Sequence, residues 1–120
     1  MALVLLVEDD EDSRRIVRTT LTRAGHEMVE AVTGPDGVAA AQTHLPDLIL
    51  MDIQLPGFDG VEATRRLKAD PALQHIPILA VTSYVMSEDE SRALEAGCDG
   101  FVSKPFSPRV LLDTISRFLP

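Results

Sequence analysis

The chain has a single cysteine, Cys98, among its 120 residues. No disulfide can close within it, and a reducing cytoplasm is the expected setting. There is no charged-then-apolar leader, and no apolar run approaches the roughly 20 residues of a membrane span, so no membrane location is expected. Basic residues are few: 11 Lys and Arg stand against 19 Asp and Glu, a formal net charge of −8. Nucleic-acid phosphates and anionic membranes would be repelled, so no direct nucleic-acid partner is expected, and cations or basic partners are favoured. Linkers, low-complexity tracts and repeats beyond a strand–helix unit are also absent. A single domain over residues 1–120 is expected, large enough to bury roughly two thirds of its unfolded surface.

What is present is organised around Asp47 to Gly60, DLILMDIQLPGFDG. Leu48-Ile49-Leu50-Met51 has no polar member, so both of its faces must be covered, as in the central strand of a parallel sheet. Asp52 follows at once, and Pro56, Gly57 and Gly60 punctuate the loop beyond it. Strand and helix alternate on either side. Ala2 to Val7 is wholly apolar and ends in Glu8-Asp9-Asp10-Glu11-Asp12. Ile16, Val17, Thr20, Leu21 and Ala24 then recur at helical spacing as far as Gly25. Glu27 to Val32 reads as a short edge strand. Gly34-Pro35 opens a second helix with Val38, Ala41 and Leu45 on its buried side, and Pro46 stops it.

The second half repeats the pattern. Asp59 with Glu62 predicts a capped helix carrying Val61, Ala63, Thr64 and Leu67 to Asp70-Pro71. Pro77 to Thr82 is a fourth apolar strand. Ser87 with Glu90 caps a helix that closes at Gly97, and Gly100 to Ser103 is a fifth strand ending in Lys104-Pro105. Ser107-Pro108 opens the last helix, whose apolar stripe is Val110, Leu111, Leu112, Ile115, Phe118 and Leu119. Five such units imply an α/β fold, a flavodoxin-like doubly wound parallel sheet of order 2-1-3-4-5 with five helices.

In such sheets ligands bind beyond the carboxyl ends of the strands, where strand order reverses. Strand one ends there in Glu8, Asp9 and Asp10, strand three in Asp52, strand four in Thr82 and strand five in Lys104. Neither GxGxxG nor a GxxxxGK loop followed by Ser or Thr occurs, so a nucleotide or flavin phosphate has no ready cradle. Carboxylates a few ångströms apart repel by several kcal/mol per pair, so a cation should sit among them. Oxygen-only ligands select a hard ion, and two or three carboxylates, a backbone carbonyl and waters suit octahedral Mg²⁺, or Mn²⁺, better than Ca²⁺. Glu11 and Asp12 read instead as a solvated first helical turn. A metal beside one carboxylate, with a hydroxyl and an ammonium converging, describes phosphoryl transfer with Asp52 as nucleophile.

In the order and spacing of LLVEDD, PDLILMDIQLPGFDG, LAVTSY and GFVSKPF, the chain resembles the receiver domains of two-component response regulators. The likeness is nearest to small single-domain chemotaxis and cell-division regulators. It implies that Glu8 and Asp9 are the acid pair, with Asp9 a direct metal ligand and Glu8 acting through water. Asp52 would be the phosphoacceptor and a ligand, Gln54 would lend its backbone carbonyl to the metal, and Lys104, cis to Pro105, would pair with the phosphoryl group. Thr82 would be the switch hydroxyl beside a small Ser83, and Phe101 the switch aromatic, here without a hydroxyl. Gln54 and Tyr84 would set the phosphoryl lifetime. The implied partners are a sensor histidine kinase or histidine phosphotransfer protein and a downstream effector. The effector would read the surface from Ser87 to Leu119, formed by the fourth helix, fifth strand and fifth helix. Phosphorylation-dependent dimerisation fits the same scheme.

Such a protein is a phosphoacceptor and not an enzyme in the ordinary sense. The alternative within the family is a receiver taken from a larger regulator or hybrid kinase. A haloacid-dehalogenase-type phosphatase needs a second carboxylate two residues after the first, where Gln54 stands, and room for a cap. An interaction module with a decayed site conflicts with intact Asp9, Asp52, Thr82 and Lys104. His26, His44 and His75 are expected to be surface residues and not phosphodonors. Asp10 is expected to be structural or outer-shell, Cys98 packing, and Met28 and Met51 core fillers.

Overall fold

The central strand is the first thing the apolar pattern determines. In the computed structural model, which describes residues 2–55, 57–82 and 87–119 (87–90 by backbone alone), Leu48–Asp52 forms β3, and all of its residues are buried. It pairs in parallel with β1 (Leu3–Val7) on one side and β4 (Ile78–Thr82) on the other. The outer strands are β2 (Glu27–Ala31) and β5 (Gly100–Ser103), giving the order β2-β1-β3-β4-β5. The expected topology is therefore the observed one. Helices α1 (Glu11–Arg23), α2 (Gly34–His44), α3 (Gly60–Ala69), α4 (Ser87–Ala96) and α5 (Pro108–Ser116) connect and follow the strands.

Side chains of alternate strand residues point to opposite faces, and this parity builds two cores. Val4 and Leu6 of β1, Leu48 and Leu50 of β3, and Leu79 and Val81 of β4 join Val17 and Leu21 of α1 and Leu111 and Ile115 of α5. The intervening Leu5, Val7, Ile49, Met51 and Ile78 pack against Ala41 of α2 and Ala63 and Leu67 of α3. A smaller cluster of Ile53, Val61, Ala80, Ala93, Ala96 and Cys98 lies against α4, with Phe101 half-buried beside it.

The caps follow from local chemistry. Asp10, Thr33, Asp59 and Ser107 each accept a backbone N–H three residues on, satisfying a donor that the first helical turn leaves unpaired. Asp59 caps as expected, but the Glu62 side chain pairs with Arg65 and Arg66 instead of reaching back to it. Ser87 and Glu90 have side chains outside the described set. Three large expected core residues are exposed, Ile16 at 50%, Leu45 at 59% and Val110 at 53%, and so is the small Ala24 at the C-cap of α1. Each lies at the margin of its helix's apolar stripe. Leu45 has left the helix altogether, with φ 46° at the C-cap of α2, so its side chain projects away from the sheet.

Candidate functional site

Four expected site residues meet at the carboxyl end of the sheet. Asp52 is the last residue of β3 and only 8% exposed, while Glu8 follows β1 directly and is 2% exposed. Glu8, Asp9 and Asp52 each offer a carboxylate oxygen, and these oxygens lie within 4.8 Å of one another. Lys104, just past β5, reaches back across the sheet: its Nζ donates to Glu8 Oε1 and, at 3.2 Å, to Asp52 Oδ2. Its backbone N–H donates to the Thr82 carbonyl at 2.7 Å, which fixes the lysine to the end of β4. The Lys104–Pro105 peptide is cis, as the family pattern implies.

Asp52 is gripped at both oxygens. Oδ2 takes the lysine, and Oδ1 accepts the Gln54 N–H at 2.9 Å. The close packing continues behind it. A Cβ placed on Gly60, the first residue of α3, would lie 1.9 Å from the Asp52 carbonyl oxygen, so only glycine allows α3 to begin against the backbone of Asp52. Asp10 caps α1 through the Ser13 N–H, and that hydrogen bond holds its carboxyl below the usual range.

Charge at this end is unbalanced. Burial pushes the Glu8 carboxyl above its ordinary range, and the neighbouring Asp52 adds to the effect against the pull of Lys104. Burial acts to lower the Lys104 ammonium, but the Glu8 hydrogen bond and the Asp52 charge outweigh it and hold the group firmly protonated. One ammonium thus serves two buried carboxylates, with exposed Asp9 beside them. An oxygen-only donor set with surplus negative charge fits a hard divalent cation. Thr82 is buried at the end of β4, while Phe101 rests against the Ile53 cluster. Pro56, Ser83 and Tyr84 lie outside the described residues.

Sequence reasoning missed three parts of this arrangement: the Lys104–Glu8 pair, the Gly60 contact, and Arg14, whose Nη1 donates to the Glu8 carbonyl at 3.1 Å. Glycine at the residue after a capping aspartate was the available signal for the second. The ion pair joins residues 96 apart and leaves no local trace. The expected histidine readings need one amendment, since His26 is half-buried and its Nδ1 accepts the Ala2 N–H at 3.3 Å.

A doubly wound sheet with an acid pair, a strand-end aspartate and a cross-sheet lysine at one edge is the architecture of a phosphoacceptor signalling domain. The family model for the response regulator receiver domain matches residues 4–116, and the chain belongs to that family. It is thus a receiver of two-component signalling. The polar-differentiation response regulator DivK of Brucella ovis is 41% identical over 116 residues, covering 97% of this chain and 94% of that one. The chemotaxis protein CheY4 of Vibrio cholerae has the same fold with a TM-score of 0.94 and 34% identity, over 99% of each chain. The receiver domain of a sensor histidine kinase from Pseudomonas aeruginosa PAO1, whose active-site cleft coordinates a magnesium ion, matches with a TM-score of 0.92 and 31% identity, over 98% of this chain and 96% of that one.

Proposed function

We propose that Asp52 receives a phosphoryl group from a partner's phosphohistidine, with Mg²⁺ or Mn²⁺ held by Asp9, Asp52, the Gln54 carbonyl and, through water, Glu8. The observation that carries this reading is the convergence of three carboxylates, two of them bound by one cross-sheet lysine. When bound, the ion supplies charge neutralisation for the phosphoryl oxygens. The chain's own residues do the rest. The Gln54 N–H keeps the Asp52 carboxylate in a fixed orientation, and Lys104, at the longer of the two contacts on Asp52, can turn to an incoming phosphoryl oxygen and free Oδ2 for attack. A new O–P bond forms as the P–N bond of the donor breaks, and its electron pair returns to the imidazole.

The acyl phosphate then places three acceptor oxygens near Thr82. The hydroxyl moves toward them, Phe101 deepens its insertion beside Ile53, and the α4–β5–α5 surface changes for a downstream effector. Residues 1–120 act as one receiver domain in the cytoplasm, alone, as a dimer on phosphorylation, or within a longer regulator or hybrid kinase. Among the described residues, no helix is long and apolar enough to cross a membrane.

A small phosphodonor with Mg²⁺ should add the mass of one phosphoryl group to the intact chain, and none to Asp52→Asn. Modification of Asp52→Asn at the wild-type level would defeat the assignment.

A further inference from the structure

The Glu8–Asp9 peptide leads into a proposed cation ligand whose own carboxylate, among the described residues, accepts no hydrogen bond. The direction of Asp9 must therefore come from the backbone that carries it. That backbone is held on both sides of Glu8. The Glu8 N–H donates to the Ala31 carbonyl of β2 at 3.0 Å, and the Glu8 carbonyl accepts from Arg14 Nη1 at 3.1 Å. Arg14 is itself anchored to β2, with its Nε 3.5 Å from Glu30 Oε1. Glu30 is fixed in turn by two bonds from Arg18, at 2.6 and 2.7 Å. With its side chain only 17% exposed, Arg14 is an internal strut between the edge strand and the loop, not a solvated charge.

We propose that Arg14 is a positioning residue for the divalent-cation site: it fixes the Glu8–Asp9 peptide so that Asp9 faces Asp52. The proposal rests on the reading of Glu8, Asp9 and Asp52 as that site. Two consequences of the arginine oppose each other, which makes the sign of its removal decisive. As a positive charge near the acids it repels a dication, so its loss should tighten binding. As a strut it presents the ligand, so its loss should weaken binding. Outer-shell partners of metal ligands carry roughly 10- to 100-fold in affinity.

The test is a titration of the full chain with Mg²⁺ alone, read from backbone amide shifts of residues 8–10 and 52–54, well below each variant's melting midpoint. Binding in Arg14→Met is expected to weaken by about tenfold, the lower end for an outer-shell partner. Arg14→Lys should also weaken it several-fold, because an ammonium keeps the charge but lacks the planar fork that bridges the Glu8 carbonyl and Glu30. Unchanged or tighter binding in Arg14→Met would overturn the proposal, as would wild-type affinity in Arg14→Lys. If Arg14→Met does not fold, Arg14→Lys decides alone. A wild-type chain whose amides ignore Mg²⁺ would instead remove the cation-site reading itself.

Discussion

At the amino-terminal end of the sheet, Asp47 and Asp99 are bound to the backbone. Asp47 Oδ2 accepts the Leu3 N–H at 2.8 Å, and Asp99 Oδ2 accepts the Ile78 N–H at 2.8 Å, so each steadies the start of a strand. Lys68 completes that end by donating to Asp99 Oδ2 at 2.9 Å and to the Gln74 and Ile76 carbonyls at 3.1 and 2.9 Å. All three ammonium protons have acceptors there. At the carboxyl end the same residue types gather with the opposite result, since one lysine binds two of three clustered carboxylates and the excess negative charge stays available. Carboxylates spent on strand N–H groups fasten the sheet, and carboxylates in excess of their donors are left to recruit a ligand.

Removing a charge from each end should separate these roles. The largest effect is expected for Asp9→Ala, which loses a proposed carboxylate ligand: Mg²⁺ affinity should fall by more than about tenfold, the lower bound for an outer-shell partner, and phosphorylation should slow with it. Asp12→Ala, in a solvated helical turn, should change neither. Equal losses in the two variants would mean that the acid surface binds diffusely. Next, Lys68→Met takes a donor from the Gln74 and Ile76 carbonyls and leaves Asp99 only the Ile78 N–H, and it should cost about 1–3 kcal/mol in urea melts, with Mg²⁺ affinity untouched. A loss of affinity there would show that the two ends are coupled.

Smaller effects refine the contrast. Asp52→Asn relieves repulsion with Glu8 but turns an amide toward Lys104, which still holds Glu8. Without Mg²⁺ its melting midpoint should be no lower than wild type, and a clear drop would mean that the lysine contact outweighs the repulsion. The smallest concerns Glu30, whose carboxyl is held below its ordinary value of 4.5 chiefly by the Arg18 hydrogen bond. A depressed carboxyl contributes stability that is complete above the unfolded value and vanishes as pH falls through the folded one. The melting difference between wild type and Glu30→Gln should therefore be small at neutral pH, within the roughly 0–1 kcal/mol of surface pairs, and close below pH 4.5. A gap that persisted in acid would place the effect in packing instead.

The strands were legible because a doubly covered strand allows no polar residue, and the unbroken LILM before Asp52 therefore fixed both a strand and the position where it ends. From there topology alone carried Glu8, Asp9, Thr82 and Lys104 to one edge. The margins of the helices were less legible. Ile16, Leu45 and Val110 repeat at helical spacing, yet spacing does not tell how wide a stripe the sheet will cover. For Gln54 the expected role lies with its carbonyl, whereas the observed bond comes from its N–H, because a residue two positions past a carboxylate can close an Asx-type turn onto it. Arg14 was hidden for another reason. On the sequence it is one arginine among several on α1, and only the register of β1 against β2 brings Glu30 beneath it.

The span from Glu8 to Lys104, 96 residues, also bears on the chain's synthesis. β1, β3 and their carboxylates emerge from the ribosome well before the lysine that neutralises them. A chain arrested after β4 can pair its central strands, yet it holds its acids without their protein counter-ion. That neutralising contact arrives only with β5, so the carboxylates of β1 and β3 are in place before the ammonium that the fold supplies to them.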